Sequence, residues 1–250
     1  MLKFFRKIRQ RLLSENRFSK YLLYAIGEII LVVIGILIAL QINNWNENRK
    51  LDRERQNLIA SLIEDFESTR DNITNVRLPV INRAIEDIET FNALIKDEPP
   101  TVTVDSLRVL GVAYFVAYPF APNLSSLKDA SSSGKLSLLK SKQLFKKLTE
   151  FEVYTEIIAR LTSESSHAYF NGSLWEIRKT VKPDVLAGDN PMPDLSYEEY
   201  KTILDKPLAQ TALYNAQILI ENKRYRLNDV LEVTEDIIAI LKEMQDSTHD

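Results

Sequence analysis

One carboxylate, Glu28, stands about 10 Å inside an otherwise apolar run of the chain, Tyr21–Ile42. A charge at that depth of a bilayer costs about 2–3 kcal/mol, so it needs a partner, a neutral form or a function. Two chemistries suit it: a proton-binding site, or a salt bridge to a basic residue on another membrane subunit. The plainer reading is a protonated or snorkelling glutamate, hydrogen-bonded within an oligomer. That reading is preferred, because no second polar residue accompanies Glu28 to make a proton path. Gly35 and Ala39 follow at seven and eleven residues. At 100° per residue they fall about 20° either side of Glu28, a stripe about 40° wide. Gly35 and Ala39 form a small-xxx-small pair that lets helix backbones approach closely, so Glu28, Gly35 and Ala39 are the predicted helix–helix interface.

Other chemistry-bearing groups are sparse. His167 follows Glu164 by three residues and has Ser163, Ser165 and Ser166 beside it. A Ser/His/Glu arrangement needs a nucleophile elbow or an oxyanion loop, and neither accompanies it, so a hydrogen-bonded structural histidine is expected. The clusters Glu64-Asp65-Glu67 and Glu86-Asp87-Glu89 lack the Glu-x-x-His pattern of di-iron bundles and read as solvated helix faces. Tyr114, Phe115, Tyr118 and Phe120 could line a pocket, but aromatic side chains at this density more often fill a core.

Composition narrows the field further. The chain has no cysteine and two histidines, His167 and His249. Disulfides, cysteine nucleophiles and thiolate or histidine zinc sites are therefore not expected, and no cofactor is implied. The net charge of −3 hides an asymmetry: residues 1–20 carry seven Lys/Arg against Glu15, about +6, and the remainder carries about −9. A basic end beside an apolar segment points to an anionic membrane surface, not to nucleic acid.

The element that must position Glu28 is a membrane helix. Its 22 residues, Tyr21–Ile42, span about 33 Å, against a hydrocarbon core of about 30 Å. A cleaved signal peptide would have a shorter apolar region and an Ala-x-Ala-like site, whereas Ala39-Leu40-Gln41 runs on into Ile-Asn-Asn-Trp. Tyr21, Tyr24 and Trp45 mark its borders. Seven basic residues precede the span; Arg49, Lys50, Arg53 and Arg55 follow it, which puts the N-terminus in the cytoplasm. Leu2, Phe5, Arg9, Leu12 and Leu13 suggest a short interfacial helix before it.

Beyond the span the pattern is helical throughout. Asn43–Asn57 reads as a polar neck. Leu58, Leu62, Phe66, Ile73 and Val76 form an amphipathic stripe that Pro79 kinks or interrupts. Ile81, Ile85, Ile88 and Ile95 form a second, stopped by Pro99-Pro100. Asp105 or Ser106 is expected to cap a buried core helix over Leu107–Tyr118, with a β-strand as the alternative. Asn123 opens a short helix that closes at Ser133-Gly134, with glycine in the left-handed position. Ser141 caps a long helix bearing Leu144, Leu148, Phe151, Ile158 and Leu161, which breaks at Asn171-Gly172 before Leu174–Val181. Lys182–Leu195 is a Pro/Gly-rich loop, Ser196 and Glu199 form a capping box, and Pro207 starts the last long helix. That helix carries Leu208, Ala212, Ile218, Val230, Val233, Ile237 and Leu241.

The segment Phe4–Glu47, FFRKIRQRLLSENRFSKYLLYAIGEIILVVIGILIALQINNWNE, resembles a family of uncharacterised single-pass membrane proteins of Bacteroidota. Ser133-Gly134-Lys135-Leu136 is similar to a pattern in the outer region of those proteins. The resemblance implies the inner membrane of a Gram-negative cell and a periplasmic domain; it brings no catalytic residue, substrate or cofactor. The expected architecture is all-α: a basic cytoplasmic segment (1–20), a transmembrane helix (21–42) continuing into a stalk, and a periplasmic helical bundle (43–250) of six or seven helices. The expected function is a non-enzymatic, membrane-anchored interaction module that binds a ligand or protein or scaffolds an envelope complex. Its partners would be the lipid bilayer and either further copies of itself or another membrane protein. The alternatives are an accessory subunit of a transporter or proton-driven complex using Glu28, and an envelope hydrolase.

Overall fold

Stripes at a period of 3.6, recognisable caps and scarce glycine dictate helix. The computed structural model, which describes residues 18–181 and 194–247, is helical throughout. Its α-helices are α1 (Phe18–Asn72), α2 (Leu78–Leu94), α3 (Val104–Gly111), α4 (Ser125–Ser132), α5 (Lys142–Asn171), α6 (Ser173–Val181), α7 (Tyr197–Leu204) and α8 (Pro207–Asp246). No strand occurs among the described residues, so the strand alternative for Leu107–Tyr118 is set aside. The chain divides into two units, Met1–Asn57 and Leu58–Asp250. The interfacial helix expected around Leu2–Leu13 and most of the loop Lys182–Leu195 lie outside the described residues.

In the first unit, every side chain from Ile26 to Arg53 is exposed on α1. Leu31, at 74% exposure, shows that the described residues of the chain itself do not cover this apolar surface. This is a helix long and apolar enough to cross a membrane. The Arg49 guanidinium lies 5.7 Å from the centre of the Trp45 ring, a cation–π contact at the end of the apolar run.

The second unit has its own core. The first stripe is rotated from expectation: Ile59, Leu62, Ile63, Phe66 and Ile73 are buried, Leu58 only half so, and Val76 is exposed. The cause sits beside Pro79. A π-turn over Ile73–Arg77 separates α1 from α2, and the Leu78 N–H donates to the Ile73 carbonyl five residues back. The wider turn swings Val76 off the buried face. Pro79 then falls in the first turn of α2, where its missing N–H costs little.

The apolar segment after Thr103 is shorter than expected as an α-helix. Thr103, not Asp105 or Ser106, caps it, its hydroxyl accepting from the Ser106 N–H at 3.2 Å. α3 ends at Gly111, a 3₁₀ turn covers Val112–Phe115, and Val116 is extended. The β-branched and aromatic residues after Gly111 are poor helix formers. They are nonetheless core: Ala113, Tyr114 and Phe115 are buried with Leu107.

α5 and α8 are the most extensively packed pair. Along α8 the buried positions Leu213, Ala216, Ile220, Lys223, Leu227, Val230, Thr234, Ile237 and Leu241 alternate in steps of three and four, the seam of a coiled coil. Leu208 falls on the outer face at 55% exposure, and Ile218 is half-buried. On the facing side, Phe66 of α1 meets Phe151 of α5 edge-on with ring centres 5.3 Å apart. Burying each ring contributes about 2–3 kcal/mol. Lys147 of α5 closes the pair at the surface, 2.9 Å from both Glu150 and Asp236.

Candidate functional site

Between α4 and α5 the second unit leaves a groove of about 640 Å³. Its walls follow from local sequence. Gly134, at φ 73°, takes the left-handed conformation that ends α4 and reverses the chain. A 3₁₀ turn over Lys135–Leu138 then places Leu136 at the groove. Ser141 caps α5 by accepting from the Leu144 N–H at 3.2 Å, so that Phe145 and Leu148 face Leu124 and Leu127 of the opposite wall. The N-terminus of α4 has no side-chain cap of its own; Asp65, from α1, accepts the Ser126 N–H at 2.8 Å. That carboxylate satisfies an orphan donor and favours the positive end of the helix.

The groove is apolar inside and charged at its rim. Phe120, Leu124, Leu127, Leu136, Phe145 and Leu148 line it, with Lys128 on the α4 side and Glu152 and Glu156 one turn apart on α5. The hydroxyls of Thr149 and Thr155 bond back to the Phe145 and Phe151 carbonyls of their own helix at 3.0 Å each. They are engaged as helix surface, not poised on a general base. Such a lining can hold an aliphatic or aromatic body by dehydration, with charge at the edge to orient it.

Glu28, Gly35 and Ala39 all lie on α1 in the first unit and are exposed. Nothing lies within 4 Å of the position a Cβ would take on Gly35, so that face is open to a close neighbour. His167 is exposed on α5, and Glu164 pairs with Arg160 at 3.8 Å. Three carboxylates of the acidic clusters have structural partners: Asp65 caps α4, Glu67 meets Lys242 at 2.6 Å and Asp87 meets Arg83 at 4.0 Å. No group of three or more potential metal ligands occurs among the described residues. Of the four aromatic residues, Tyr114 and Phe115 are buried in the core, Tyr118 is half-buried and Phe120 reaches the groove.

Two buried charges are not apparent from residue type. Arg108 is buried, donating to the Thr180 carbonyl at 3.1 Å and pairing with Asp105 at 3.4 Å. Lys223 is wholly buried, and its ammonium donates to the Ala117 carbonyl. A lysine at a seam position was the available signal, since Lys223 keeps the step of three and four between Ile220 and Leu227.

A family model described as a family of unknown function (DUF6090) matches residues 28–178. The match begins at Glu28, contains the whole groove and ends within α6. No curated protein and no solved structure matches the chain.

Proposed function

We propose, since this chain belongs to the family of unknown function DUF6090, that it is a membrane-anchored interaction module rather than an enzyme. In this reading α1 crosses a bacterial inner membrane with the basic N-terminus in the cytoplasm. The Leu58–Asp250 unit then works in the periplasm, where the groove between α4 and α5 receives an apolar ligand or partner segment. The observation that carries the reading is the groove itself: an apolar-lined cleft inside the matched region, with the Thr149 and Thr155 hydroxyls engaged by their own helix. A photo-reactive amino acid at Phe145 in the full chain, irradiated in native membranes, should give a discrete adduct. The same probe at exposed Glu243 should not. Equal adducts at the two positions would refute binding in the groove.

The topology rests on seven basic residues before the span against four after it. A C-terminal alkaline phosphatase fusion is expected to be active and a C-terminal green fluorescent protein fusion, exported by the same route, dark. The reverse pattern would overturn the periplasmic placement.

Within the membrane, α1 associates with a second copy or another membrane protein through Glu28, Gly35 and Ala39. Close approach at the two small residues brings the Glu28 carboxyl out of lipid, where it is costly. Replacing Gly35 and Ala39 by leucine should reduce crosslinking between helices several-fold more than replacing Ile34 and Ile38 by leucine. Equal crosslinking in the two variants would show that this face is not the contact.

A further inference from the structure

A second cavity, of about 320 Å³, opens where the end of α2 meets α7 and α8. Its floor is apolar, formed by Phe91, Tyr114, Leu204 and Leu213, and the exposed ring of Tyr214 stands at its mouth. Across it runs an oriented chain of hydrogen bonds. The Tyr114 O–H donates to Asn92 Oδ1 at 2.9 Å, Asn92 Nδ2 to Gln217 Oε1 at 3.4 Å, and Gln217 Nε2 to Glu221 Oε1 at 2.8 Å. Burial raises the Tyr114 pKa, so the phenol keeps its proton and acts as the donor. That fixes which way round each amide stands, and each keeps one N–H unused by the chain.

The rest of the lining sets the ligand class. Gln210 adds a third amide, and Asp205 adds a carboxylate acceptor. Lys201 is engaged by Glu98 at 2.5 Å, which leaves Lys96 and Asp205, of opposite charge, at the mouth. A ligand that fits must offer oxygen acceptors to amide N–H groups, a hydroxyl donor to a carboxylate, and a flat apolar face to Tyr214. It need carry no net charge. We propose that this cavity binds a neutral saccharide, one ring seated against Tyr214 and Leu213 with its hydroxyl edge on Asn92, Gln210 and Gln217. The volume is at the small end of ligand pockets, which suits one or two sugar rings. The Asn92 and Gln217 amides are held in place before the ligand arrives, so the ordering cost on binding falls mainly on Gln210.

The test uses the full chain in lipid nanodiscs, prepared without any sugar-headed detergent. Glucose, N-acetylglucosamine and valerate serve as probes in saturation-transfer NMR. Saturation of the ring protons of at least one sugar is expected, with none on valerate. Tyr214→Ala and Gln210→Ala, both at exposed positions, should each cut the signal at least fivefold without moving the thermal midpoint. Phe145→Ala, in the other groove, should leave it unchanged. Absence of transfer to both sugars, transfer to valerate alone, or full transfer in the Tyr214 and Gln210 variants would overturn the assignment.

Discussion

Replacing Gly111 by alanine is expected to destabilise the Leu58–Asp250 unit by about 2 kcal/mol or more, although alanine is the better helix former by about 1 kcal/mol. The glycine is not needed for its backbone conformation, since its φ of −63° suits any residue. It is needed for space. An added Cβ would lie 2.8 Å from Val181 Cγ1 and 2.8 Å from the Val181 carbonyl oxygen, with the Phe91 ring at 3.5 Å. The methyl could rotate away, but the carbonyl belongs to the end of α6 and can move only with it. Displacing α6 would also pull the Thr180 carbonyl from Arg108, leaving a buried guanidinium short of an acceptor. The steric and electrostatic costs together exceed the gain in helix propensity. Calorimetric unfolding of the full chain in detergent micelles would show the loss; an unchanged or raised midpoint would mean that α3 and α6 pack less tightly than these distances state.

What was legible in the sequence is what is local. Ser141, Ser196 with Glu199, Gly134 and Pro207 each act on residues within one turn of themselves, and each does what its type implies. Long helices followed from their stripes for the same reason. Features that depend on distant parts of the chain were not legible. Asp65 caps a helix 61 residues later, and no local pattern links the two. The π-turn at Ile73–Arg77 shows that Pro79 acts on the turn ahead of it, which moved Val76 out of the core against a simple period of 3.6. The groove was invisible because it is defined by what α4 and α5 fail to fill. Leu148 belongs to the same amphipathic pattern as Leu144 and Phe151, Phe145 stands beside it, and only the fold decides which of them stay accessible.

Lys223 extends this point and carries the other large effect. It occupies a seam position of α8, its ammonium met by a backbone carbonyl rather than a carboxylate, and burial pushes its pKa down to about 8 from an ordinary 10.5. The sign follows from proton counting. Below pH 8 the ammonium is charged in both folded and unfolded chains, and the folded state bears the whole cost of burying it. Between pH 8 and 10.5 the folded chain has released the proton and the unfolded chain has not, so the contribution of Lys223 to stability rises with pH across that window. From pH 8 to 9 the gain is about 1 kcal/mol, the slope climbing towards about 1.36 kcal/mol per pH unit as the folded chain gives up its proton. The phenols Tyr114, Tyr118, Tyr197 and Tyr200, whose pKa values burial raises above an ordinary 10.0, act in the opposite direction as the pH nears 10, because the unfolded chain ionises them and the folded chain does not, so the test stops at pH 9. Lys223→Met keeps the volume and removes the titration. At pH 7 it should gain about 1–2 kcal/mol, the relief of desolvation less about 1 kcal/mol for the hydrogen bond lost at the Ala117 carbonyl. Its stability should then be nearly flat from pH 8 to 9. Ala117 precedes Tyr118, held at φ 48°, and the segment leads on to Phe120 at the groove. If the lysine is instead retained to hold that segment in place, the variant will unfold at a higher temperature yet lose the adduct at Phe145. A variant that is less stable at pH 7 and keeps the rise between pH 8 and 9 would show that the titrating group is not Lys223.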